Sequence, residues 1–357
     1  MRLSVLDKIP SMGFNSPMAR ATIEDVAARA GVSVATVDRV LNARTTVRPL
    51  NAKRVEAAIR ALNYHPDRLA ARLARGREYR FCFVLPEGDN VFMKGLAHEI
   101  AAHTQHLAAE RVEADVRHTD VFDAAALAAT LDSIHGYDGV AVVALDHPRV
   151  REAVNGLIAR GTEVVTLVSD VPGAARAHFV GIDNSAAGRT AATLMGRFLG
   201  GRKGKVGLIA GSLALRDHAE RHFGFVQVMG QEYAGLTLLP LREERDSASR
   251  TGQATTDLLA AHRDLIGLYN VGAGTDGIVA ALRRVQPKQN LVVIAHELSD
   301  MSRAALMDGT LSAVIAQDPG HEIRSAMRVL MARCDRQPIL AAQERISIDV
   351  FLRDNLP

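Results

Sequence analysis

Three groupings in this 357-residue sequence carry enough chemistry to argue from. Residues 272–277, GAGTDG, have the spacing G-x-G-x-x-G, follow an apolar run of strand length and open a helical pattern, and Glu297 lies twenty residues past Gly277. In a dinucleotide-binding turn such glycines let the backbone approach a pyrophosphate while the acid takes a ribose hydroxyl. Against that reading, the unit starts late in the chain, and glycine-rich strand–helix turns are common in α/β folds. His218 and His222 sit four residues apart on a helical pattern, so both can reach one metal ion. No third ligand is evident, however, and Arg221 between them repels cations. His98 and His103 are five apart and fall on different helical faces. No nucleophile arrangement of the G-x-S-x-G kind is present, so no enzyme, metal or cofactor is expected.

The third grouping, TIEDVAARAGVSVATVDRVLN at residues 22–42, is a reading surface rather than a reaction centre. Thr22 is an N-cap, with Glu24 and Asp25 in the first turn where the helix dipole favours acids. Ile23, Val26, Ala27 and Ala30 fall on one helical face. Gly31 supplies the positive φ that ends the helix, and Val32 fills the space before the next one. Ser33 caps a second helix whose inward stripe is Val37, Val40 and Leu41. Two such helices form a helix-turn-helix, whose second member enters the major groove of DNA; the same physics also builds a helical hairpin with no DNA role. A third amphipathic helix is expected near 51–63.

Charge separates these possibilities. Residues 19–80 hold 13 Arg and Lys against 6 Asp and Glu, about +7, whereas the whole chain carries only +3, so a basic head joins a mildly acidic body. One end is therefore suited to a polyanion. RGREYR at 75–80 is polar and breaks the pattern, which places a boundary there. Beyond it, apolar strand-length runs alternate with helical segments, the signature of a parallel α/β sheet. Strands are expected at 81–85, 139–145, 163–168, 205–210, 265–271, 291–295 and 312–317, and helices at 94–109, 149–160, 185–199, 217–230, 274–285 and 319–333. About a dozen strands overfill one doubly wound sheet, so two subdomains with a cleft between them are expected, with ligand outside the carboxyl ends of the strands.

Hydrophobic residues at 48% and charged residues at 23% fit a globular protein rather than a disordered or membrane one. The first twenty residues lack a secretory apolar stretch and read as a flexible extension, or as an early start with Met12 and Met18 as alternatives. Cys82 and Cys334 read as two core thiols in a reducing compartment, which points to the cytoplasm.

On the stretches DVAARAGVS, ATVDRVLN and KRVEAAIRALNYHPDRLAARLA, residues 22–75 resemble the head of the lactose/galactose repressor family almost without gaps. On GIDNSAAGRTAA (181–192), GSLALRDHAERHFGF (211–225) and QDP (317–319), the body resembles that family's effector domain, itself similar to periplasmic sugar-binding proteins of the ribose type. The resemblance implies an all-α head at 21–65, a hinge helix and linker at 66–79, and a two-lobed parallel α/β sensing and dimerisation domain at 80–357. It implies a homodimeric transcription repressor on double-stranded operator DNA, controlled by a sugar or polyol. Carried over by position, Val34 and Ala35 read bases, Thr36 and Arg39 lie near phosphates, and Thr22 and Ser33 are among the DNA-binding positions. Asn42, Thr46, Arg48 and Asn51 match backbone-contacting positions, and Leu73 matches a leucine wedged into the minor groove. Asp38 departs from the family's usual serine; it either pairs with a nearby arginine or sits off the contact surface. For the effector, the resemblance puts Asp89, Asn90 and Phe92 after the first strand, then Asp146, Arg221, Asn270, His296 and Gln317. His296 stands where the ribose-type pattern has aspartate and is followed by Glu297, a change that favours a polyol or an acidic derivative. With no leucine-heptad tail before Pro357, a tetramer built that way is not expected.

Overall fold

The computed structural model describes residues 21–41, 47–64, 78–88, 90–287 and 290–357. The chain divides into two compact units, residues 1–77 and 78–357.

In the first unit, α1 (Ile23–Ala30), α2 (Val34–Leu41) and α3 (Pro49–Ala61) enclose a small core. Val26, Ala27, Ala30, Val37, Val55, Ala58 and Tyr64 are buried in it, and Ile23, Val32, Val40 and Leu41 pack around them. Thr22 and Asp25 form a reciprocal capping box: the Asp25 amide donates to Thr22 Oγ1 at 3.3 Å, and the Thr22 amide to Asp25 Oδ2 at 2.8 Å. Gly31 ends α1 at φ 63°, the left-handed conformation that glycine reaches without strain. The Thr36 amide then donates to Ser33 Oγ at 3.3 Å, which starts α2. Helix α3 begins two residues ahead of the expected start because Pro49 occupies a first-turn position, where a missing N–H costs nothing.

The second unit has two lobes. Its chain runs β1 (Tyr79–Pro86), α4 (Val91–His106), β2 (Val112–Thr119), α5 (Ala124–Asp132), β3 (Gly139–Val142), α6 (Pro148–Ala159), β4 (Glu163–Leu167) and β5 (His178–Val180). It continues through α7 (Asn184–Leu199), β6 (Gly204–Ala210), α8 (Arg216–Glu232), β7 (Leu236–Leu238), β8 (Arg242–Glu243), α9 (Ala248–Ala261), β9 (Leu265–Asn270) and α10 (Thr275–Val285). The last elements are β10 (Val292–His296), α11 (Asp300–Met307), β11 (Ala313–Ala316), α12 (Pro319–Cys334) and β12 (Asp349–Phe351). The first lobe holds a parallel sheet in the order β2-β1-β3-β4-β5. The second holds the order β12-β11-β10-β9-β6-β7, with β8 also on β6 and β12 antiparallel to β11.

The continuous apolar run in β1 follows from burial on both faces. Phe81, Phe83 and Leu85 belong to one apolar cluster, and Cys82 and Val84 to another beneath the opposite face. Each aromatic ring so buried contributes on the order of 2 kcal/mol. Burial also pushes the Cys82 thiol up to about 11, so this sulfur is protonated and inert at neutral pH. The cluster that takes Phe81 and Phe83 continues through Met327 and Leu330 of α12 to Met195, Phe225 and Tyr269 of the second lobe.

Three segments carry the chain between lobes: 181–183, 317–318 and 335–348. The second and third bracket α12, which packs on β3, β4 and α4 of the first lobe although it follows most of the second. Strand order reverses beside β1 in the first lobe and beside β6 in the second, so the loops after these strands open where a ligand is received. The lobes also touch directly: Leu145 bridges Leu215, the Asp146 amide donates to the Ala214 carbonyl at 3.2 Å, and the Arg216 amide to Ser169 Oγ at 3.0 Å. Among the described residues no helix is long and apolar enough to cross a membrane.

Candidate functional site

Between the lobes of the second unit lies a cavity of about 870 Å³, lined by the ends of strands and the starts of helices. Of the expected effector residues, the structure brings Asn90, Phe92, Arg221, His296 and Gln317 to its wall. Asn90 caps α4, its Oδ1 accepting from the Phe92 amide at 3.0 Å and the Met93 amide at 3.3 Å, which fixes the Phe92 ring beside the cavity. Asp89 lies outside the described residues.

Arg221, buried on α8, is held from two sides. Its Nε donates to Asn184 Oδ1 at 2.8 Å and its Nη1 to the Val271 carbonyl at 3.1 Å, leaving Nη2 without a partner among the described residues. The helix carrying it lies very close to α7: Gly188 and Gly224 sit where a methyl group would collide with backbone of the other helix. His296 ends β10, and its Nε2 is 2.8 Å from the Tyr269 hydroxyl. Burial, with the Arg221 charge, holds the His296 ring well below the usual imidazole range, so it is neutral. Among the described residues its Nδ1 has no hydrogen-bond partner, nor do Asp217 Oδ1 and Gln317 Oε1. Gln317 Nε2 donates to Glu297 Oε1 at 2.9 Å. Burial raises the Glu297 carboxyl to about 7, and Glu322 behind it is raised well above the ordinary carboxylate value by burial and by Glu297.

Two expected effector residues do not line the cavity. The Asp146 carboxylate is taken by Arg151 at 3.3 Å and Arg216 at 3.8 Å. Asn270 turns its amide onto its own loop, donating to the Gly272 and Ala273 carbonyls at 3.0 Å each. The sequence reading missed Asp217, although it stands one helical turn before Arg221, and it missed Glu322, which carries no local signal.

The glycine-rich turn has a packing explanation. A methyl group on Gly277 would strike the Ala248 carbonyl of α9, and one on Gly272 would strike His218 and Asp246. The Ala273 amide, which a pyrophosphate would need, already donates to Asp246 Oδ1 at 2.9 Å. Among the described residues no group of three or more His, Cys, Asp or Glu is placed to hold a metal ion.

In the first unit, the leading end of α2 presents Ser33, Val34 and Ala35 to solvent with Arg39 a turn further on, while Val37 faces the core. Thr36 is half-buried, its Oγ1 2.9 Å from Ser33 Oγ. Thr22 and Arg48 are exposed and Asn51 is half-buried. Asn42, Thr46 and Leu73 lie outside the described residues.

Two α/β lobes around a polar cleft define the class of the second unit, and residues 81–338 match the family described as periplasmic binding protein domain. Residues 22–67 match the family described as bacterial regulatory proteins, lacI family. The chain belongs to the periplasmic binding protein domain family by its second unit, and its first unit carries the match to the lacI family of bacterial regulatory proteins. It is similar to catabolite control protein A of Staphylococcus epidermidis, 41% identical over 76 residues, which are 21% of this chain and 23% of that protein. It is also similar to the ribose operon repressor of Bacillus subtilis, 44% identical over 77 residues, 22% of this chain and 24% of that protein. The chain thus spans about a quarter of the length of these curated relatives. In fold it resembles GanP, a glucose-galactose binding protein from Geobacillus stearothermophilus, at a TM-score of 0.69 and 20% identity over 79% of this chain and 99% of that one.

Proposed function

We propose that this chain is a sequence-specific DNA-binding regulator of carbohydrate metabolism, a repressor whose hold on its operator is set by a sugar or polyol in the cleft. The observation that carries this reading is a matched set of partnerless polar atoms. Arg221 Nη2, His296 Nδ1, Asp217 Oδ1 and Gln317 Oε1 are all on buried side chains at the cavity wall. A buried polar atom costs free energy until it is paired, and hydroxyl groups, which both donate and accept, satisfy such a mixture. Phe92 offers an apolar face for a sugar ring. The names of the relatives, a catabolite control protein and a ribose operon repressor, and the sugar-binding name of the structural neighbour support the same reading.

On the DNA side, Val34 and Ala35 have the size and polarity to meet thymine methyls, and Arg39 and Arg48 to meet phosphates. Leu73, by its match to the family, is the minor-groove wedge, and two heads on a pseudo-palindromic site make the working form a homodimer. We place the protein in the cytoplasm with its DNA and assign it no catalytic activity, cofactor or metal. The coupling is linkage: effector shifts the operator equilibrium only by its differential affinity for the two states of the protein. The test is fluorescence anisotropy of a duplex from the chain's own upstream region, at low salt, with and without a panel of pentoses, hexoses and polyols. Saturable binding that at least one compound alters supports the proposal; indifference to the duplex under all these conditions ends it.

A further inference from the structure

Resting on the carbohydrate reading of the cleft, we infer that the site is built for an uncharged polyhydroxyl compound and rejects its anionic derivatives, with Glu297 as the residue that enforces the choice. The first argument is proton inventory. Tyr269 is fully buried, and among the described residues its hydroxyl is hydrogen-bonded to His296 Nε2 alone, at 2.8 Å. With Tyr269 donating there, the neutral His296 carries its own proton on Nδ1 and offers it to the cavity. Among the described residues, the deep wall therefore holds two unpaired donors, Arg221 Nη2 and His296 Nδ1, and two unpaired acceptors, Asp217 Oδ1 and Gln317 Oε1, each buried just behind the cavity surface. Hydroxyl groups serve all four. A carboxylate or phosphate has only acceptors, and placed there it leaves Asp217 and Gln317 unmet.

The second argument is charge. Glu87, Asp217, Asp246, Glu297 and Asp318 all line the cavity, where the arginines are Arg221 and Arg245. Arg245 is already engaged across the cleft mouth: its Nη2 donates to Asp120 Oδ2 at 2.7 Å, and its guanidinium lies 4.9 Å from the centre of the Phe122 ring. Arg221 acts on the Glu297 carboxylate, favouring its charged form, so its positive charge is shared with an acid that belongs to the site. Glu297 itself is pinned by the Gln317 side chain and held in the left-handed region at φ 68°, which no glycine relieves. The groups facing it are Arg221 and Asp217 from α8, Glu322 from α12 and Gln317 at the end of β11. An incoming anion meets this carboxylate where an uncharged hydroxyl finds an acceptor.

The experiment uses the full chain, thermal shift and calorimetry at pH 8, and neutral compounds paired with their acids or phosphates: ribose with ribose 5-phosphate, glucose with gluconate and glucose 6-phosphate, galactose with galacturonate. At least one neutral compound is expected to bind, with its anionic partner at least tenfold weaker. In Glu297→Gln that ratio is expected to fall below about threefold. In the unaltered chain it is expected to narrow from pH 8 to pH 6 as Glu297 takes up its proton, a measurement that stands even if the variant fails to fold. An anion that binds as tightly as its neutral parent, or a ratio insensitive to both the substitution and pH, overturns the inference and leaves the carbohydrate reading standing. Failure of every compound, neutral and anionic alike, overturns the carbohydrate reading and the inference with it.

Discussion

The close approach of α7 and α8 sets up a sharp experiment on the framework that holds Arg221. A methyl group placed on Gly188 lies 2.7 Å from the carbonyl carbon and 2.9 Å from the Cα of Arg221. Carbon atoms rest about 3.5–4.0 Å apart, so Gly188→Ala forces the two helices to part by roughly 1 Å. The neighbour is backbone, which cannot swing aside as a side chain can. The cost is therefore expected at the upper end of overpacking penalties, about 3 kcal/mol, against a helix-propensity gain of about 1 kcal/mol. Gly230 on the same α8 is the control. It is exposed and a methyl group there meets nothing within 4 Å, so Gly230→Ala is expected to stabilise by roughly 0.5–1 kcal/mol. Differential scanning calorimetry should show Gly188→Ala melting several degrees below the unaltered protein and Gly230→Ala slightly above it. Because the parting moves Arg221, Gly188→Ala should also lose effector affinity where Gly230→Ala does not. Equal melting temperatures for the two variants would refute the reasoning.

Arg221→Ala is expected to weaken effector binding by roughly 100-fold, the worth of buried hydrogen bonds to a charged group, while sparing operator binding; a normal response at normal effector levels means the cleft is wrongly assigned. Arg39→Ala should weaken operator binding about equally across sequences and reduce the steepness of its salt dependence by about one ion, as read by anisotropy from 50 to 200 mM salt; an unchanged slope removes Arg39 from the phosphate contacts. Burial raises Glu297 from its ordinary 4.5 to about 7, so folded protein holds this proton more tightly than unfolded chain. The associated stability is complete below pH 4.5 and lost as pH climbs through 7, about 3 kcal/mol in all. Glu297→Gln should flatten that part of the curve in urea titrations at pH 5 and pH 8, and an identical slope in the variant would count against it.

How far the sequence foretold this arrangement depended on the kind of signal. Elements whose apolar residues face a core on both sides, such as β1 and β9, announced themselves as unbroken runs, and the capped helices of the head were legible down to Thr22 and Gly31. Strand β2, VEADVRHT, was not, because it is an edge strand whose charged residues face solvent, and β12 is only three residues long. Helix α9 hid behind the threonines and serines of ASRTGQATTDLLAA, which mask its apolar stripe. For the cleft, Arg221 and Gln317 followed from position in a resembling pattern. Asp146 did not, since its carboxylate is taken up by Arg151 and Arg216, a pairing that only the folded lobes reveal. Glu322 was invisible for a related reason: its burial is a property of the whole packed interior, and three neighbouring residues reveal nothing of it.

The placement of α12 has a consequence for how the protein is made. Ile323, Met327 and Leu330 complete the apolar interior beneath the first lobe, yet they leave the ribosome long after β5 does. At about 5–20 residues per second, the first sheet waits on the order of 10–30 s with one greasy flank uncovered. The core formed by α1, α2 and α3 meets no such delay. A nascent chain of this protein is thus expected to need shelter over one specific surface, and a stop codon shortly before Pro319 should harm the early lobe as much as the late one.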